Sequence, residues 1–146
     1  DVCSFRSGRP DLARLRARNM ILVGRPAEAR DVLLAIHDDA DPDGRTALLL
    51  GHAAWRLGDW GRLRECGEQL RRRHPEMADG YMFLGASANA AGNLDESLAM
   101  FEQAVAREPE RAMAQKLLAA ESARRDGAVR QGDAPAAAGA VRSEAP

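Results

Sequence analysis

The chain has 146 residues, a length that suits a single domain. It carries 21 basic and 22 acidic side chains, so its formal net charge is −1. No segment approaches the roughly 18 consecutive apolar residues of a membrane span, and none resembles a signal peptide. We therefore expect no membrane insertion. The two distant cysteines, Cys3 and Cys66, favour a cytoplasmic location over a disulfide framework.

The predicted elements are all helical, so the predicted fold class is all-α. In chain order the sequence predicts a flexible arm, three helix hairpins, a capping helix and a disordered tail, at about residues 1–9, 10–42, 43–76, 77–110, 111–125 and 126–146, respectively. The tail is rich in Ala, Gly and Pro and has no large apolar residue beyond its valines, so it cannot form a packed core.

The hairpins repeat with a fixed period. Three glycines lie 34 residues apart and mark the predicted turns: Gly24, Gly58 and Gly92. Other positions repeat in the same register: Leu50 and Gly51 as Leu84 and Gly85, and Pro75 as Pro109. This period is typical of stacked helical repeats, in which each unit buries its apolar face only against its neighbours. About three units are then near the minimum for stability.

The third unit has the densest pattern of aromatic, small and turn residues: Tyr81, Leu84, Gly85, Ala88, Gly92, Ser97, Phe101, Ala104 and Pro109. Small residues let two antiparallel helices approach closely, while Leu84 and Phe101 fill the remaining volume. This unit resembles a tetratricopeptide repeat (TPR), with Ala88 in place of the usual aromatic residue. The resemblance implies a right-handed α-solenoid of about three hairpins plus a C-terminal capping helix.

The second unit departs from this pattern in its second helix. Leu63 and Gly67 stand where the third unit has Ser97 and Phe101, so large and small residues are exchanged across the helix pair. We interpret the exchange as compensated packing. Gly61 and Gly67 each cost about 1 kcal/mol relative to Ala inside a helix, so we expect this helix to be the softer one.

In TPR proteins the first helices of successive repeats line a concave groove that holds a peptide or a helix of a partner protein. By register with that family, the groove residues here are Arg14, Arg18, Ile21, Leu48, His52, Trp55, Arg56, Met82, Ala86, Asn89 and Lys116. This mixed lining favours a ligand with an apolar anchor and an acidic group. The two-carboxylate clamp of chaperone-binding TPR domains is incomplete, because Leu49 stands where its Asn is expected. For Trp55, a groove contact and packing against the neighbouring repeat both remain open.

Charge is distributed unevenly between the second and third units. Residues 44–77 contain seven arginines and four acidic residues, whereas residues 78–111 contain two arginines and six acidic residues. Either these charges form solvated outer faces, or they support self-association between basic and acidic repeats. Arg71, Arg72 and Arg73 share a helix with two glutamates and have no interleaved aromatic residue, so we expect no nucleic-acid binding.

A search for catalytic patterns yields no candidate. His37, His52 and His74 have neither the i, i+4 spacing nor the cysteine cluster that would indicate a metal site. A Gly-rich phosphate loop and a nucleophile elbow are also missing from the sequence. We therefore expect a non-catalytic protein without a cofactor or a metal.

Three functional hypotheses fit these features. The first is a protein–protein interaction module that binds a linear segment of a partner in its groove. The second is a bacterial secretion-type TPR chaperone, which only the size and the repeat number support. The third is a regulatory or assembly domain of a larger enzyme, which the absence of an initiator Met permits.

Overall fold

The computed structural model describes residues 10–36 and 41–130, and this part of the chain contains seven α-helices and no strand. The helices are α1 (Pro10–Leu22), α2 (Pro26–Leu34), α3 (Arg45–Leu57), α4 (Trp60–Arg73), α5 (Ala78–Ala90), α6 (Leu94–Arg107) and α7 (Ala112–Arg130). The all-α prediction is confirmed, and each predicted hairpin contains a helix pair. The predicted arm at residues 1–9 lies outside the described residues, as does His37.

The repeated glycines occupy the turn of each hairpin and have left-handed backbone conformations. The φ angles of Gly24, Gly58 and Gly92 are 84°, 73° and 84°. A Cβ atom at these positions would meet nothing within 4 Å. The backbone conformation, and not a shortage of space, therefore requires glycine at each turn.

Consecutive helices pack against each other along the chain. In addition α1 contacts α3, α3 contacts α5, and α5 contacts α7. The central helix α5 has neighbours on most sides, and all of its residues from Ala78 to Ala88 are buried. Helix α7 covers part of this surface, because Ala114 and Leu117 pack with Ala78 and Met82.

Two helices begin at caps supplied from outside their first turn. The buried carboxylate of Asp41 accepts hydrogen bonds from the backbone N–H groups of Thr46 and Ala47, at 3.0 and 3.1 Å. Glu108 Oε2 accepts one from the N–H of Ala78 at 2.6 Å. Each carboxylate satisfies donors that have no partner within the helix and offsets the positive end of the helix dipole.

The last helix is longer than predicted. Helix α7 ends at Arg130, so residues 126–130 are helical and do not belong to a disordered tail. The Ala- and Arg-rich sequence supports a helix here, and two contacts hold it against its neighbours. Arg124 Nη1 donates to Asn89 Oδ1 at 2.6 Å, and Arg125 lies 3.2 Å from Asp95. Residues 131–146 lie outside the described part of the chain.

Candidate functional site

A groove between α1 and α3 contains the largest share of the predicted groove residues. It encloses about 640 Å³. Six predicted residues line it: Arg14, Arg18, Ile21, Leu48, His52 and Arg56. Arg45, Leu15, Leu22 and Leu49 add to the same lining. We call this surface the arginine groove.

The charge of the arginine groove is strongly positive. Four arginines line it against one acidic residue, Asp11, which forms an ion pair with Arg14. Arg18, Arg45 and Arg56 are exposed and make no hydrogen bond or ion pair with any described residue. These three guanidinium groups are therefore available to a ligand, and leucine and isoleucine side chains line the same groove.

Arg14 has a structural role within the groove. Its side chain is only 13% exposed, and Nη1 donates to Thr46 Oγ1 at 3.2 Å. Thr46 belongs to the first turn of α3, which Asp41 caps. Arg14 thus links α1 to the start of α3 and holds the two walls of the groove together, so it is less available to a ligand than the other arginines.

His52 faces both the groove and the core. Its ring lies edge-on to Phe83, with the ring centroids 5.2 Å apart and an interplanar angle of 89°. Burial lowers the pKa of His52 below its ordinary value of 6.5, while the charge of Asp79 opposes this shift. The imidazole is therefore neutral at pH 7, and the positive charge of the groove comes from arginine alone.

A second hollow lies where α3, α5 and α7 meet, and it encloses about 290 Å³. Three predicted groove residues line it: Trp55, Ala86 and Asn89. Trp60, Glu121 and Arg124 line it as well and were not predicted. We call this surface the tryptophan pocket. The predicted groove residues are thus distributed over two hollows, and α3 contributes to both.

Trp55 combines the two interpretations that the sequence left open. Its side chain is half-buried and packs edge-on against Phe83, with centroids 6.1 Å apart and an interplanar angle of 83°. It also lines the tryptophan pocket. Trp55 therefore contributes to the packing between hairpins and also offers part of its surface to a ligand.

Two predicted groove residues lie elsewhere. Met82 is buried and packs with Tyr81, Ala104 and Ala114, because α5 is enclosed by its neighbours and leaves no free side at this position. Lys116 is exposed, and it lines neither the arginine groove nor the tryptophan pocket. The neighbouring face of α7, with Ala114 and Leu117, packs into the core. Met82 therefore belongs to the core, whereas the groove assignment of Lys116 stays a prediction.

Two residues of the tryptophan pocket had no recognisable signal in the sequence. Glu121 and Arg124 lie on α7, and their position depends on how that helix packs against α5. Trp60 follows the turn glycine and aspartate of the second hairpin, and its exposure depends on the same arrangement. A large aromatic side chain beside a helix turn was the one available hint.

Two kinds of feature considered in the sequence, a metal site and a membrane span, can be compared with the described residues. Within residues 10–36 and 41–130, no group of three or more His, Cys, Asp or Glu side chains is placed to hold a metal ion. None of the helices in this part of the chain has the length and apolar character that crossing a membrane requires. Comparison with protein-family models and with curated proteins finds no match to this chain.

Proposed function

We propose that the chain is a non-catalytic protein-interaction module that binds a segment of a partner protein in the arginine groove. The observation that carries this proposal is one open groove whose lining combines apolar side chains with three exposed arginines that have no ion-pair partner among the described residues. Exposed charges of one sign above apolar side chains suit recognition of a complementary surface.

We further propose that the hairpins form a TPR-like right-handed solenoid. The 34-residue period, the left-handed turn glycines and the contacts of α1 with α3, α3 with α5 and α5 with α7 support this architecture. In such an arrangement the first helices of successive hairpins form one side of the molecule, and the arginine groove lies between two of them.

The chemistry of the groove favours an acidic and partly apolar partner segment. Guanidinium groups bind carboxylates through paired hydrogen bonds, and these bonds are stronger than those between neutral groups. The leucine side chains that line the groove would bury an aliphatic or aromatic anchor of the same segment. We therefore expect at least one Asp or Glu close to a large apolar residue in the partner.

A selection from a random peptide library displayed on phage would test this proposal. Peptides enriched by the wild-type protein should contain acidic and large apolar residues, and their binding should weaken as salt concentration rises. Arg18→Glu with Arg56→Glu should abolish binding of these peptides. The matched control is Arg16→Glu with Arg72→Glu, which makes the same change in net charge on exposed residues outside the groove.

The control variant should bind as the wild type does, and circular dichroism should give the same helicity for all three proteins. Enrichment of peptides without acidic residues would contradict the proposed chemistry. Equal loss of binding in both variants would mean that net charge, and not the groove, determines binding.

A further inference from the structure

The tryptophan pocket contains a carboxylate that lacks a hydrogen-bond donor. The side chain of Glu121 is 3% exposed, and its Oε1 atom is buried without a hydrogen-bond partner among the described residues. Burying a carboxylate oxygen without a donor is costly, so such atoms are rare in folded proteins. Glu121 also lines the tryptophan pocket, so a donor that enters the pocket can pair with Oε1 once this recessed side chain turns towards it.

The cation next to Glu121, Arg124, does not form a hydrogen bond with Oε1. Arg124 Nη1 lies 3.6 Å from Glu121 Oε2 and donates to Asn89 Oδ1 at 2.6 Å. The Arg124 side chain is 56% exposed, so it lies towards solvent. Its guanidinium group is directed to Asn89 and to the other carboxylate oxygen, and Oε1 remains unpaired.

The rest of the lining suits a long side chain with a cationic end. Two indole rings, Trp55 and Trp60, line the pocket together with Ala86, Leu117 and Ala120. Aromatic rings attract cations through their negative faces, and the apolar side chains would cover an aliphatic stem. Because Oε1 is recessed, a compact ammonium group on a flexible stem suits it better than the planar fork of a guanidinium group.

We propose that the tryptophan pocket binds a lysine side chain of a protein partner, whose ammonium group donates a hydrogen bond to Glu121 Oε1. The lysine stem lies along the indole rings and the apolar side chains of α5 and α7. This site is separate from the arginine groove and does not depend on the function proposed for it.

The chain provides its own reporters for this site. It contains two tryptophans, and both line the pocket. Their two indole N–H signals in a nitrogen-15 correlation spectrum therefore report on binding at this position. The probe is Nα-acetyl-lysine N-methylamide, and the control compound is the norleucine derivative, which has the same aliphatic stem without the charge.

In the wild type we expect the lysine probe to shift both indole signals until saturation, whereas the norleucine compound leaves them nearly unchanged. Glu121→Gln should weaken lysine binding about tenfold, because it removes a charge-assisted hydrogen bond. Glu102→Gln, at an exposed position on α6, is the matched control and should bind like the wild type.

Equal shifts with lysine and norleucine would overturn the proposal, since the pocket would then recognise only the stem. The absence of any saturable shift would also overturn it. If Glu121→Gln does not fold, Arg124→Gln provides a second test. Removing this neighbouring cation should strengthen lysine binding severalfold, and unchanged or weaker binding would contradict the role given to Glu121.

Discussion

The second and third hairpins have a glycine at the same position of the repeat, Gly51 and Gly85. The aromatic ring that covers this glycine comes from a different helix in each hairpin. In the third hairpin, a Cβ on Gly85 would lie 2.5 Å from Phe101, a residue of its own second helix. In the second hairpin, a Cβ on Gly51 would collide with the ring of Phe83, which belongs to α5 of the next hairpin. Gly67 occupies the position that corresponds to Phe101.

This difference explains how an imperfect repeat is accommodated. Because Gly67 has no side chain, α5 approaches α4 until a Cβ on Gly67 would lie 3.0 Å from the carbonyl oxygen of Gly80. The approach places Phe83 over Gly51 and against His52 and Trp55. The second hairpin therefore takes part of its core from the third, whereas the third supplies its own aromatic residue.

Among the substitutions that test this comparison, Phe83→Ala should change the free energy of unfolding most. Phe83 is completely buried, so its removal should lower the free energy of unfolding by about 3–5 kcal/mol. Amide hydrogen exchange should accelerate in α3 as well as in α5, since the ring serves both hairpins. The control, Phe101→Ala, should accelerate exchange mainly in α5 and α6. Unchanged exchange in α3 after Phe83→Ala would contradict the shared core.

Gly51→Ala and Gly85→Ala should each destabilise the protein by about 1–3 kcal/mol, because a new methyl group would press against a buried ring. Double-mutant cycles identify the ring involved. Phe83→Leu should partly relieve Gly51→Ala, and Phe101→Leu should partly relieve Gly85→Ala. If Phe101→Leu relieved Gly51→Ala instead, the second hairpin would not depend on α5 in this way.

Replacing each of two glycines of α4 by alanine should change the stability of the protein in opposite directions. Gly67→Ala should lower the melting temperature, because the added Cβ would press on the backbone of α5. At Gly61 a Cβ would meet nothing within 4 Å, so Gly61→Ala should raise stability by up to about 1 kcal/mol through helix propensity. Thermal unfolding followed by circular dichroism compares the two. A gain in stability at Gly67 would contradict the close approach of α4 and α5.

The smallest expected effect is a pH dependence through His52, which packs on Phe83. Burial lowers its pKa, so the unfolded chain binds a proton at a higher pH than the folded chain. This contribution to stability is fully present above about pH 6.5 and is lost as the pH falls towards the folded-state pKa. Urea unfolding at about pH 7.5 and about pH 5.5 should show a smaller loss for His52→Gln than for the wild type. Equal losses in the two proteins would contradict this contribution.

The candidate site was only partly predictable from the sequence. Arg18, Leu48 and Arg56 were recognisable because the register of the repeat assigns Arg18 to the groove side of α1, and Leu48 and Arg56 to the groove side of α3. The same register extended to Met82, but α5 is enclosed by neighbouring helices, so this position became part of the core. Glu121 could not be assigned, because a carboxylate on an Ala-rich helix gives no indication of which face will be buried.

The sequence by itself determined the helical fold, the hairpin period and the turns, because these features depend on the local conformation of the backbone. Gly24, Gly58 and Gly92 fix the turn positions because a left-handed conformation costs other residues steric strain. Only the tertiary structure decided which ring covers Gly51 and which carboxylate is enclosed beside the two tryptophans. These contacts join residues of different hairpins, so they depend on how closely the helices approach, a quantity that no short sequence pattern specifies.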